Sequence, residues 1–363
     1  MARGSNSFGD LIRTTAGSNP EDLNDLWAEF QLSLSLLNAR RSAFAALLSF
    51  PTTNPAESVP QTTSRDDMEL ASEFGQPMGI RITPDIARLG FTLDWYDVAS
   101  RFTDRFLAEA TAAEVRTVHG LALEADNRLV FRLILSALTN PLARLNSDGT
   151  PVLGLWNGDG SVPPPFLSTT FDGGHSHYLT SGSAVLDGID IDVMVEHLQH
   201  HGYGGDGSRI ILLANRTEAK AIRRMRANIT VGTELTAYDF IPSAAAPAYL
   251  TNLVVQGQIP PGEFERLPVL GSLGPALVIE DGLVPAGYVI AAATGGANSQ
   301  VNAVGFRQHK RPEHQGLRQI PGGGAYPLTD SFYNRGCGTG VRHRGAAVVL
   351  QVTAGSYVAP VIA

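Results

Sequence analysis

The chain has 363 residues, a net charge of −8, 43% hydrophobic and 17% charged content, and a single cysteine, Cys337. Length suggests two or three domains with enough apolar residues for a real core. The composition excludes an internal disulfide, a helical membrane span, since no apolar run of about eighteen residues occurs, and tight gripping of nucleic acid by the whole acidic surface.

Residues 1–18 are small and polar and read as an arm without its own core. Asn19-Pro20-Glu21-Asp22 combines a capping residue, a proline for the first turn and early acids, so it predicts a helix start. Leu23, Leu26, Trp27, Phe30, Leu34 and Leu37 follow at helical spacing, and the helix is expected to run to about Phe50-Pro51. Its apolar face must dock on its own core or on a neighbouring subunit.

Residues 51–91 are rich in Pro, Thr and Ser and lack a helical period, with short extended pieces expected at Met68–Ala71 and Gly79–Thr83. So long a stretch without core periodicity fits a two-stranded excursion that leaves the body better than a compact loop, although a solvated surface loop has the same pattern. Its first half is acidic, with Glu57, Asp66, Asp67, Glu69 and Glu73 opposed by Arg65.

From Thr92 to Leu138 there is no proline, and Trp95, Val98, Ala99, Phe102 and Phe106, then Leu121, Leu129, Leu133 and Ala137, recur at three-and-four spacing. This predicts a spine helix stopped by Asn140-Pro141. A single helix would span roughly 65–70 Å, so either Gly120 divides it or the subunit is an extended plate.

Residues 140–183 are loop-rich, with a short strand expected at Pro151–Trp156. Asp187 then caps a predicted helix carrying Ile191, Met194, Val195 and Leu198 and ended by Gly202. Arg209–Ala214 reads as a strand, and Asn215 with Glu218 opens a helix to about Arg226. Strands are expected at Tyr249–Val255, Ala276–Ile279, Tyr288–Ala292 and Ala346–Val352. Arg307, His309, Lys310, Arg311, His314 and Arg318 form the most basic run.

Motifs for chemistry are sparse. His175, His177, His197, His200 and His201 invite a metal reading, with His197 and His201 four apart on one predicted helix. No glutamate follows His197, so the zinc-protease pattern fails, and surface or packing histidines are the expected reading; no metal is assigned. The Gly202–Gly207 run precedes a strand and lacks a Gly-Lys-Ser/Thr continuation, which argues against a phosphate loop. Cys337 lies near His343 in sequence, but a lone small thiol is the commoner case. No Gly-x-Ser-x-Gly elbow occurs. No catalytic residue and no cofactor is assigned.

The order of these elements resembles the major capsid protein of tailed bacteriophages, with its HK-97-like fold. Five segments resemble capsid proteins of phages with actinobacterial hosts: ASEFGQPMGIRI at 71–82, LEADNRLVFR at 123–132, SHYLTSG at 176–182, HLQHHGYG at 197–204 and GVRHRGAAVVLQV at 340–352. The resemblance implies an α+β fold with an N-terminal arm (1–50), an extended loop (51–91), a peripheral domain with the spine helix (92–183), an axial domain (184–300) and a return to the peripheral domain (301–363). It further implies pentamers and hexamers in an icosahedral virion shell around double-stranded DNA, assembled in the bacterial host cytoplasm and away from membranes. Scaffolding protein, portal and decoration protein are the implied partners. Two family features are not expected. Residues 51–91 contain no lysine for an isopeptide cross-link, the lysines being Lys220 and Lys310. Too few residues precede the arm helix for a long removable scaffolding segment. An encapsulin-like compartment and a cytosolic α/β enzyme with a histidine metal site are the alternatives.

The charge pattern suggests contacts between subunits, from Glu57, Asp66, Asp67, Glu69 and Glu73 to Arg307, Lys310, Arg311 and Arg318. Replacing Asp66, Asp67 and Glu69 by lysine is expected to block assembly, read by light scattering, with monomer helicity unchanged; normal assembly would refute this role.

Overall fold

In a computed structural model the described residues are 23–39, 42–60, 68–76, 79, 86–167, 169–247, 257–322 and 328–362. Helix α1 (Leu23–Ala39) buries Leu26, Phe30 and Leu34. Its predicted cap at Asn19 lies outside the described residues. The helix does not run on to Phe50. Ser42 caps a second helix, α2 (Ala43–Leu48), by accepting the Ala45 N–H, and the chain then turns into strand β1 (Ser49–Thr52).

Strands β2 (Ala56–Pro60) and β3 (Ile86–Gly90) pair antiparallel and form the base of the 51–91 excursion. The segment 68–71 is not a strand, and most of 79–83 lies outside the described residues.

The predicted spine is three elements. Residues 94–103 form strand β4 (Asp94–Thr103), followed by the short helix α3 (Asp104–Glu109) and the long helix α4 (Ala112–Thr139). Gly120 does not break α4. The break lies at Ala110-Thr111, where Thr111 and Glu114 form a capping box that starts the helix. With 28 residues α4 is roughly 42 Å long. Asn140 ends it, as the following proline requires. Val115, His119, Ala122 and Asp126 make its buried stripe, while Leu121, expected inside, is exposed.

A short strand β5 (Tyr178–Thr180) leads to helix α5 (Gly188–Gln199), capped by Asp187 and Asp190. Strand β6 (Arg209–Ala214) and helix α6 (Arg216–Ile222) follow; α6 stops four residues before the expected Arg226 because Arg223–Arg226 turn away. Strands β7 (Phe240–Pro242), β8 (Gly271–Leu273), β9 (Ala276–Glu280) and β10 (Tyr288–Thr294) come next. The strand expected at Tyr249–Val255 lies outside the described residues. The chain closes with β11 (Val304–Gln308), β12 (Arg318–Pro321), β13 (Leu328–Val341) and β14 (Ala347–Gln351). At Pro151–Trp156 only Pro151–Val152 is strand.

Two sheets organise the subunit. The seven-stranded one has the order β7-β8-β9-β6-β10-β14-β5. Strand β6 reads Arg-Ile-Ile-Leu-Leu-Ala without alternation because both faces are covered. Ile211 and Leu213 face Phe44, Leu47, Ile134 and Leu138 of α2 and α4. Ile210 and Leu212 face Ile191, Met194, Val195 and Leu198 of α5. Strands β5 and β14 lie in this sheet, so the segment boundaries expected near 183 and 300 cut across it.

The five-stranded sheet runs β1-β11-β13-β12, with β4 paired to β13. Strand β13 is its hub. Its residues Leu328–Cys337 meet Thr103–Asp94 in unbroken antiparallel register. Every second residue near its end is glycine because another piece of chain crosses that face. A Cβ on Gly338 would stand 2.2 Å from the Thr92 carbonyl oxygen, and one on Gly340 2.3 Å from that of Gly90.

Strand β13 is locked to α4 by a buried ion pair. Arg335 Nε and Nη2 donate to the two Asp126 carboxylate oxygens at 2.5 and 2.7 Å. Burial pushes the Asp126 carboxyl above its ordinary value, against the pull of Arg335. Removing one partner leaves the other buried and alone. Asp126→Ala is therefore expected to destabilise the unassembled subunit by about 3–5 kcal/mol in chemical denaturation; a loss below about 1 kcal/mol would contradict this lock.

Candidate functional site

The structure buries some of the charged candidates and exposes others. Glu57 on β2 is paired with Arg342 at 3.0 Å and also accepts the Thr52 hydroxyl. This pair ties the base of the excursion to the closing segment of the same chain. Arg307 is buried on β11, where its Nη1 donates to the Phe91 carbonyl at 2.9 Å. It is not the surface cation that the basic run suggested. Val304–Arg307 are all buried because both faces of β11 are covered; Arg307 lies on the face opposite Phe306, under the chain at Phe91, and burial lowers the guanidinium's pKa. Arg318 is half-buried against the His314 ring. Lys310 and Arg311 are exposed, as are Glu69 and Glu73. Asp66 and Asp67 lie outside the described residues.

Between those acids stand apolar residues that the charge pattern masked. Met68, Leu70 and Phe74 are 102%, 96% and 93% exposed. Their segment turns on Ser72, whose hydroxyl accepts the Phe74 and Gly75 N–H groups. Three large apolar side chains in one short segment stand clear of the core of the described residues, which is more than ordinary scatter. The sequence signal was there to read: in MELASEF, at 68–74, apolar and acidic residues interleave. Leu32 and Leu36 on the outer side of α1 are also mostly exposed.

The arm helix is held to the body by His119. Its ring stacks on Phe30 at 4.0 Å, one nitrogen lies 2.7 Å from the Ser33 hydroxyl, and the other lies 2.9 Å from the Tyr333 hydroxyl. Glu29 and Arg116 add an exposed bidentate pair, which is worth little alone. Burial lowers the His119 pKa, with Glu29 opposing.

Histidines gather at a second place. The helix reading paired His197 with His201, but α5 ends at Gln199, and His197 Nδ1–H donates to the Val193 carbonyl one turn back. The groups that converge are His175 and His177, just before β5, with His200 and His201, just after α5. Burial holds all four rings neutral at pH 7. It lowers His175 and His200 to about 4 and His201 to about 3, and it leaves His177 well below its ordinary value. Among the described residues, these four form the group whose chemistry suits a metal ion.

Cys337 is fully buried in β13, and burial pushes its thiol up to about 12. His343, near it in sequence, is engaged with the Gln300 carbonyl. A protonated thiol without a base is a poor nucleophile. The glycine run at 202–207 forms turns, with positive φ at Gly202, Gly204 and Gly207. Among the described residues no helix is long and apolar enough to cross a membrane.

No protein-family model and no curated protein matches the chain. A solved structure from Mycobacterium phage Patience is similar at 37% identity and a TM-score of 0.74, over 99% of this chain and 97% of that one. The capsid of an empty GTA particle is similar at 13% identity and a TM-score of 0.47, over 86% and 91% of the two chains. An encapsulin complex from Synechococcus elongatus is similar at 12% identity and a TM-score of 0.44, over 90% and 96%. The first likeness carries the weight; the other two add none.

The His119 geometry predicts a pH dependence. In the unfolded chain this histidine takes a proton below about pH 6.5, while in the folded subunit it stays neutral to a lower pH. Its contribution is thus complete above about 6.5 and is lost as pH falls through the folded value. His119→Gln keeps polar partners but cannot titrate. Its stability is expected to fall less steeply than wild type between about pH 7 and 5; equal slopes in denaturant titrations would contradict the assignment.

Proposed function

Since the chain belongs to the major capsid protein family of tailed bacteriophages and has the HK-97-like fold, we propose that its copies close, as pentamers and hexamers, into an icosahedral shell enclosing double-stranded DNA. The capsid role follows from family membership. The proposal concerns how this particular chain builds the shell and what it encloses.

The observation that carries this reading is the exposure of Met68, Leu70 and Phe74, each above 90%. Burying such a side chain is worth about 1.5–3 kcal/mol, so the excursion gains roughly 4.5–9 kcal/mol of gross stabilisation by lying on a neighbour. Ordering costs offset part of that gain. The outcome is a contact of modest strength, which suits a shell that must correct errors while it closes. Glu69 and Glu73 on the excursion and Lys310 and Arg311 on the turn after β11 then set which surfaces meet. The Glu57–Arg342 pair fixes the angle at which the excursion leaves the body.

In this reading residues 1–50 are the arm and 51–91 the extended loop. Residues 92–183 and 301–363 make the peripheral domain around α4 and β13, and 184–300 the axial domain, which borrows β5 and β14. The net charge of −8 keeps the genome from adhering to its container. Scaffolding protein, portal and a decoration protein are the partners such a shell takes, and assembly proceeds in the bacterial host cytoplasm.

The triple variant Met68→Ser, Leu70→Ser and Phe74→Ser tests the mechanism. It is expected to give soluble subunits with wild-type circular dichroism and few or no shells by electron microscopy, while the wild type assembles. Shells from the triple variant at wild-type yield would contradict the role of the excursion. Nuclease-protected DNA in particles from infected cells is the expected content; particles holding protein cargo and no DNA would point to a compartment instead.

A further inference from the structure

The four histidines beside α5 form a set that hydrogen bonding alone does not explain. The Nε2 atoms of His175, His177 and His201 make a triangle with sides of 3.1, 3.0 and 3.1 Å. His177 is fully buried, and its Nδ1 lies 2.6 Å from the Ala347 carbonyl oxygen. A carbonyl only accepts, so the proton of the neutral ring sits on Nδ1, and Nε2 presents a bare lone pair. A ring N–H points along one direction and serves one neighbour. Three nitrogens that face one another therefore cannot satisfy all three contacts by hydrogen bonds. His200 contributes a buried Nε2 without a hydrogen-bond partner. One ligand atom from each of the four residues falls within 4.8 Å of the others.

The spacing fits a cation. Nitrogens at 2.0–2.1 Å from a tetrahedral zinc ion stand about 3.3 Å apart. The observed sides differ from this by about 0.3 Å or less, so these three rings need only small shifts to take an ion. His200, in a set whose ligand atoms lie within 4.8 Å of one another, must turn farther to complete it. The outer contacts also match a metal site. The His177 Nδ1–H to carbonyl bond is the usual way a ligating histidine is held in its tautomer. Phe171 lies over the group, with its ring 4.4 Å from that of His201 and 4.8 Å from that of His175. Gly345 leaves room beneath, since a Cβ there would stand 3.0 Å from His201 Cγ. His197 stacks on His175 at 5.5 Å and backs the group without entering it.

We infer that His175, His177 and His201, completed by His200, bind one divalent transition-metal ion of the zinc type. Neutral imidazoles without a carboxylate ligand suit zinc over magnesium or calcium. A closed four-ligand set is structural, not catalytic. The ion would staple the loop before β5 to the end of α5, and through His177 to β14. It supplies rigidity in a subunit whose 51–91 stretch lacks the lysine for a covalent cross-link.

The test uses the full chain without a polyhistidine tag, stripped with a chelator and then dialysed against zinc chloride. About one zinc per subunit is expected by mass spectrometry of the metal. The His175→Gln and His201→Gln double variant is expected to lose it at least about tenfold. The His309→Gln and His314→Gln pair, away from the cluster, should retain it. Cobalt chloride offers a readout that needs no variant, because four-coordinate cobalt absorbs strongly in the visible range. Wild-type protein that takes up no zinc and shows no such band overturns the inference. So does zinc held equally by wild type and the cluster variant.

Discussion

One strand constrains the five-stranded sheet and the helices that pack on it. Strand β13 gives ten consecutive residues, Leu328–Cys337, to β4 on one edge, while β11 and β12 share the other. Backbone groups committed to that ladder are not available for a helix. The consequence runs through everything nearby. Residues 94–103 become strand, α4 starts at Ala112, and the helix crosses the sheet at a position set by Arg335 and Asp126. Tyr333, on the same strand, reaches His119 and so fixes where the arm helix docks. The alternate glycines of β13 let the chain at 90–92 cross its face at contact distance.

What was legible in the sequence follows from the range of the interactions involved. Helix α5, strand β6 and the start of α6 were readable because their signals are local: Asp187 and Asn215 cap within three residues, and the apolar pattern is set by burial on both faces. The stretch 94–103 was not readable by periodicity. Trp95, Val98, Ala99 and Phe102 satisfy a helical spacing, yet their partner lies more than 200 residues away, and tertiary pairing overrode the pattern. Even there one local clue pointed the right way, since Thr111-Ala112-Ala113-Glu114 is a capping box inside the supposed helix.

The candidate site was read less completely, for a similar reason. A basic run looks uniform in sequence, but β11 is covered on both faces, so Arg307 within the strand is buried while Lys310 and Arg311, beyond its end, are exposed. Among the histidines, helical spacing favoured His197 with His201, whereas the fold joins two short segments more than 20 residues apart, each with a close pair. Fold-level resemblance supplied the class of protein, but which charges face inward came only from the three-dimensional arrangement.

These features describe a subunit whose body is well packed and whose excursion is incomplete alone. The Glu57–Arg342 pair anchors the excursion's base, and Met68, Leu70 and Phe74 are almost fully exposed. A reconstruction of the assembled shell by electron cryomicroscopy, at a resolution that shows side chains, tests this most directly. The account predicts these three side chains buried against a neighbouring subunit. Finding them packed on their own subunit's body, or still facing solvent in the closed shell, would contradict it.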